Sequence, residues 1–109
     1  MNYYLFKVTP PRPTFATDMT PAEAATIADH VAYWTGLLHR GTAVAFGPVT
    51  DPAGLYGMAV VEAEAERDVR VLSTHDPAIT TGLFTYDVFP MPQAIARPHH
   101  TSPSAEAAT

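Results

Sequence analysis

The order of periodicities along the chain (strand, helix, strand, strand, helix, strand) predicts an α+β fold. Two helices lie on one face of a four-stranded antiparallel sheet, the ferredoxin-like βαββαβ arrangement. Three observations carry this prediction. The stretch from Thr20 to Gly41 has the period of one long helix and stop signals at both ends. Four apolar runs alternate with period two, and turn residues separate them. The strands are apolar on both faces, which suits a sheet with helices on one side and a second subunit on the other.

The first strand spans Asn2 to Val8. Tyr4, Phe6 and Val8 fall on one face, with Tyr3, Leu5 and Lys7 on the other. Pro10, Pro11 and Pro13 end it, since proline cannot donate to a ladder. The segment TPPRPTFATDMT reads as a long loop, and loops of this length are often functional. Arg12, Phe15, Asp18 and Met19 are its residues able to reach a ligand; a packed surface loop is the competing reading.

The long helix begins at a capping box. Thr20 is the N-cap, Pro21 takes the first helical position, and Glu23 lies three residues after the cap. His39 and Arg40 place cations in the last turn, and Gly41 follows. Ile27, Val31, Trp34 and Leu38 form the apolar stripe. His30 falls on its edge, half-buried toward the sheet, while Asp29 and His39 point away. A plain core does not need that histidine, although a buried neutral imidazole bonded to a carbonyl would also fit.

Thr42 to Val49 is the second strand, with Val44 and Phe46 alternating against Ala43 and Ala45. Gly47-Pro48 marks it as an edge strand or a strand end. Thr50 to Gly54 has turn chemistry, and Leu55 to Ala63 completes a hairpin. Glu64 to Thr74 reads as the second helix, with Val69 and Leu72 inward and Glu66, Arg67, Asp68 and Arg70 solvated. His75-Asp76-Pro77 breaks it, because the residue before proline is pushed out of the α region. Asp76 is a natural N-cap for a short turn from Pro77. Leu83 to Phe89 is the fourth strand. One domain, residues 1–91, accounts for all of these elements, and residues 92–109 read as a flexible C-terminal tail.

Composition excludes several functions. The net charge is −5, and no basic run or basic helix face is present, which argues against nucleic acid and anionic membranes. There is no cysteine, hence no disulfide, thiolate chemistry or cysteine zinc site. The first residues lack the marks of a signal peptide and no run spans a bilayer, so the cytoplasm is the expected location. His99-His100 has no third ligand nearby, and His30, His75 and Asp76 lack metal-ligand spacing, so neither a metal nor another cofactor is expected. Ser73 has no glycine-framed elbow, which makes triad chemistry unlike this chain.

Several segments in order resemble the YCII-related (YciI-like) family. They are PPRPTFATDMT ahead of the long helix, His30 followed by Ala32-Tyr33-Trp34, the Ala45-Phe46-Gly47-Pro48-Val49 strand end, Asp51-Pro52-Ala53-Gly54, and His75-Asp76-Pro77. The resemblance covers Tyr3 to about Pro90. It implies a dimeric ferredoxin-like α+β barrel, in agreement with the pattern. It also implies that the histidine of the first helix and the aspartate of the Asp-Pro step, here His30 and Asp76, form the candidate catalytic pair. Much of that family's chemistry is unassigned, and a lyase-type dehydrochlorination is among its activities.

The expected function is therefore a small-molecule enzyme, lyase- or isomerase-like. His30 would act as general acid/base and Asp76 would fix its tautomer. Phe15, Trp34 and Phe46 would wall the cleft, and Arg12 would hold an anionic group of the substrate. The expected assembly is a homodimer packed sheet on sheet. The alternative is a non-catalytic module that binds a metabolite or another protein through the same pocket, with a purely structural pair.

Overall fold

The computed structural model describes residues 1–98. Strand β1 (Asn2–Thr9) leads through a short helix α1 (Phe15–Asp18) into the long helix α2 (Pro21–His39). Strands β2 (Ala43–Val49) and β3 (Tyr56–Ala63) follow as a hairpin, then α3 (Glu66–Ser73), the one-turn α4 (Pro77–Thr80) and β4 (Thr85–Pro90). All pairings are antiparallel, and the sheet order is β2-β3-β1-β4. This is the predicted α+β topology. Of the tail expected from residue 92, positions 92–98 carry no helix or strand. His99-His100 and all that follows lie outside the described residues.

The caps of α2 form as the sequence dictates. The Glu23 N–H donates to Thr20 Oγ1 at 3.1 Å, and the Thr20 N–H donates back to Glu23 Oε1 at 2.9 Å. At the other end Gly41 takes φ 81°, the left-handed conformation that closes a helix, and the Thr42 N–H reaches the Leu37 carbonyl at 3.0 Å.

On the inner face of the sheet, Tyr4, Phe6 and Val8 of β1 stand beside Ala59, Val61 and Ala63 of β3 and Val88 of β4, all buried. Trp34 and Leu37 of α2 and Val69 of α3 cover them, with the Phe6 and Trp34 ring centroids 5.0 Å apart. Gly57 is opposite Val8, and a Cβ there would lie 2.7 Å from Val8 Cγ2. That position accepts only glycine without displacing the valine.

The structure corrects four expectations. First, the inward face of α2 is rolled. Val31 and Leu38 are 45% and 36% exposed, while Leu37 is buried; His30 lies on the core side, as its place at the stripe's edge suggests. Residues 30, 34 and 37 also lie at helical spacing, so periodicity alone admits either stripe. In the observed orientation His30 gains Asp76 as a partner and Trp34 and Leu37 are buried. Second, the β2 alternation is broken by a register shift between Ala43 and Ala45. Val44 is left exposed and Phe46 turns inward. Third, the proline-rich loop contains α1, pinned by Phe15, which is buried against the Phe84 ring at 5.4 Å. Fourth, α3 starts later than expected, at Glu66, because the Asp68 carboxylate accepts from the Ala65 N–H and fixes the start there.

The opposite sheet face carries Leu5, Met58 and Val60, half-buried, and Phe89, exposed. No described helix is long and apolar enough to cross a membrane.

Candidate active site

The site is built where α2 meets the junction between α3 and α4. Pro77 cannot extend α3, so the chain turns at Asp76, and Asp76 caps α4 instead. Its Oδ1 accepts from the Ala78 N–H at 2.9 Å. Two side chains of α2, one helical turn apart, reach the same carboxylate. Trp34 Nε1–H donates to Oδ2 at 2.8 Å. His30 Nδ1 lies 2.8 Å from Oδ1 and 3.0 Å from Oδ2. Asp76 is 0% exposed, and every contact of its oxygens is with a donor. A buried carboxylate needs such a set, since leaving its oxygens unpaired would be costly.

The consequence for His30 is a defined tautomer. A carboxylate is acceptor-only, so Nδ1 carries a proton toward it and Nε2 keeps a lone pair. Nε2 has no hydrogen-bond partner among the described residues, and the ring lines a cavity of about 260 Å³. The Phe84 ring meets the imidazole edge-on, centroids 5.7 Å apart. His30 is thus 15% exposed, anchored on one side and open on the other. Nearby, burial and the negative charge of Asp76 push the Tyr33 phenol up. It stays protonated and donates to the Leu72 carbonyl at 2.7 Å.

The structure brings His30 and Asp76 together, and places Phe15, Trp34 and Phe46 in the cavity wall, as the sequence suggested. It does not bring Arg12 there. The Arg12 guanidinium gives Nε to Asp18 Oδ1 at 2.7 Å and Nη1 and Nη2 to the two Glu23 carboxylate oxygens at 2.9 and 2.7 Å. It also bonds the Asp18 carbonyl. Four of the five guanidinium N–H groups are engaged. The expected anion contact from Arg12 is therefore corrected. Its role is to fasten the loop to the first turn of α2, with its plane over the Phe15 ring at 5.2 Å. His75 is exposed beside the cap, and the Ser73 hydroxyl is spent on the Arg70 carbonyl at 2.6 Å. Among the described residues no group of three or more His, Cys, Asp or Glu side chains could hold a metal ion.

Two contributions were missed in the sequence. The indole N–H of Trp34 is a ligand of the carboxylate as well as wall. Its position four residues after His30, on the same face, was the available signal. Phe84, the aromatic platform beside the imidazole, lay in the run Leu83-Phe84-Thr85-Tyr86, but nothing local distinguished it from a strand core residue.

The fold has a solved counterpart. The 5-chloro-2-hydroxyhydroquinone dehydrochlorinase of Burkholderia phenoliruptrix AC1100, solved in complex with 2,5-dihydroxybenzoquinone, superposes with a TM-score of 0.59. The identity is 21%, over 79% of this chain and 89% of that one. No curated protein matches. The YCII-related domain model matches residues 1–92, nearly the whole described chain, and the protein belongs to the YCII-related domain family.

Proposed function

We propose that this cavity is the active site of a small-molecule enzyme in which His30 serves as general acid/base and Asp76 positions it. The observation that carries this reading is the His30–Asp76 contact, which leaves Nε2 unpartnered among the described residues in a ring that lines the cavity. The chemistry it suits is a lyase- or isomerase-like proton transfer. A substrate C–H bond breaks and its proton passes to Nε2. The electron pair left behind forms a C=C bond as a leaving group departs with its own pair from the adjacent carbon. In an isomerisation, the proton returns at another carbon. The imidazolium formed on the way is stabilised by the carboxylate behind it. The fold shared with a dehydrochlorinase is consistent with an elimination of this kind.

The test is exchange of an acidic C–H into heavy water, followed by proton NMR with 2-tetralone as the probe. The wild-type protein should accelerate exchange above the buffer rate, and His30→Gln should lose about 100- to 10,000-fold of that acceleration while remaining folded. Undiminished exchange in His30→Gln would remove the histidine from the chemistry. A wild-type protein that binds the probe without accelerating exchange would favour a non-catalytic binding module.

We also infer that two copies pack sheet on sheet. The support is the outer face itself, where Leu5, Met58, Val60 and Phe89 have no helix over them among the described residues. Light scattering should give twice the mass of one chain, and Phe89→Lys should shift the protein toward monomer. A monomeric wild type would sink the inference.

A further inference from the structure

The cavity beside His30 has almost nothing to offer a polar ligand. Its body is formed by Phe15, Met19, Ile27, Phe46 and Phe84, with Trp34 at the back. The single N–H of Trp34 is already given to Asp76. Pro48, on the β2 side, has no N–H at all. Among the described residues, no arginine, lysine, serine, threonine, asparagine or glutamine lines the cavity. Apart from His30, the one lining residue with a hydroxyl is Tyr56. Its register puts the side chain on the outer sheet face, where Lys7 Nζ sits 4.7 Å from the ring centre. The Arg12 guanidinium, which stands over the Phe15 ring, is bound to Asp18 and Glu23, and Arg12 does not line the cavity. Among the lining side chains, His30 is thus the one with a ring nitrogen not already engaged, in an otherwise hydrocarbon wall.

We propose that the site selects an uncharged, largely hydrocarbon molecule carrying one hydrogen-bonding group or acidic hydrogen, placed at His30 Nε2. Carboxylates and polyhydroxylated rings would be excluded. This rests on the acid/base reading for the role of His30, and adds what that residue acts upon. The size follows from the volume. An apolar cavity of about 150 Å³ is enough for benzene, so about 260 Å³ accepts a substituted ring or a small two-ring system. The exclusion follows from desolvation. Each further ligand hydroxyl would lose its water and find no partner, which weakens binding by roughly tenfold to a hundredfold per group. An anion would fare worse, since its charge would enter an apolar wall already backed by the Asp76 carboxylate. No second donor stands ready to receive developing negative charge, so the ligand must delocalise that charge over its own π-system or expel it with the leaving group.

Three rings smaller than the cavity test this directly: p-cresol, benzoate and phloroglucinol. Binding is read by the fluorescence of Trp34, the single tryptophan in the chain, and by the imidazole NMR signals of His30. p-Cresol should saturate the site, with benzoate and phloroglucinol at least tenfold weaker. Benzoate or phloroglucinol binding as tightly as p-cresol would overturn the proposal, as would failure of all three to bind. Met19→Lys, which places an ammonium in the wall, should raise benzoate affinity at least tenfold and lower that of p-cresol. An unchanged order of preference would also overturn it. The two readings separate cleanly. A p-cresol preference together with exchange indifferent to His30→Gln retires the acid/base role and keeps the ligand class. A benzoate preference with His30-dependent exchange does the reverse.

Discussion

Two charge clusters fasten helix α2 to its neighbours, and they differ in what they leave over. At the first turn, Glu23 meets Arg12 and Asp18 of the preceding loop. About two and three turns on, His30 and Trp34 meet Asp76 at the α3–α4 junction. The Arg12 cluster is half open to solvent, with the Arg12, Asp18 and Glu23 side chains 33%, 48% and 20% exposed and four donors of the guanidinium used. The Asp76 cluster is buried at its centre, yet one of its members keeps a free nitrogen at the wall of a cavity. The first is a fastener with no chemistry to spare. The second holds an imidazole in place with one ring nitrogen unpartnered among the described residues. What separates a candidate site from an ion pair here is the leftover valence beside a guest-sized space.

The sharpest way to break this contrast is Asp76→Ala. It strips the acceptor from three donors at once, the His30 and Trp34 side chains and the Ala78 N–H. Removing one partner from a buried charged network costs about 3–5 kcal/mol. Urea denaturation should show a loss of that order, together with loss of the proton-exchange activity. A cost no larger than that of Arg12→Ala would make the two clusters equivalent.

Trp34→Phe is a smaller and more selective cut. It keeps most of the aromatic packing on Phe6 and deletes one hydrogen bond to the carboxylate. A loss of about 1.5–3 kcal/mol is expected, the range for a hydrogen bond to a charged group. Exchange activity should fall without vanishing, because His30 would still reach Asp76. An unaffected stability would show that the indole serves only as wall.

The smallest effect belongs to the exposed cluster, and it is read by pH. The Arg12 guanidinium, with help from the Thr20 N–H, holds the Glu23 carboxyl down at about 2. The Thr14 hydroxyl and Arg12 hold Asp18 below the usual carboxylate range. A carboxyl whose value is lower in the folded state stabilises the fold above its unfolded value, near 4.5 for Glu23, and loses that contribution as pH falls toward the folded one. Wild-type stability should therefore decline between about pH 4.5 and 2. Arg12→Ala should decline less over the same window, and high salt should shrink the difference, as expected for exposed charges. Equal slopes in denaturation at pH 5 and pH 3 would show that the fastener carries nothing measurable.

Much of this molecule follows from neighbours along the chain. The Thr20-Glu23 box, the cap at Asp76 ahead of Pro77, and the inward Tyr4, Phe6 and Val8 are all local, set by i, i+2 or i+3 relations and by proline geometry. Gly47-Pro48 marks an edge strand, as expected, but does not interrupt it, since β2 stays paired through Val49. The four-residue helix at Phe15 escaped the same rules. It has no side-chain cap and is held by burial of one ring against Phe84.

The sequence by itself determined the order of the four strands and two main helices, the ends of α2 and two facts about the site: a histidine on the long helix and an aspartate in a capping position. Its likeness to a family pointed to those two residues as partners. Only the tertiary structure decided the rest. It rolled α2 so that Leu37 faces inward in place of Leu38, and left Val31 partly exposed. It turned the Trp34 N–H onto a carboxylate 42 positions away, and drew Arg12 to Glu23 and Asp18 and away from the cavity. Local periodicity cannot rank such outcomes, because the competing stripes and pairings satisfy it equally well. What chooses among them is whether a buried polar atom, met only when distant segments pack, finds its partner.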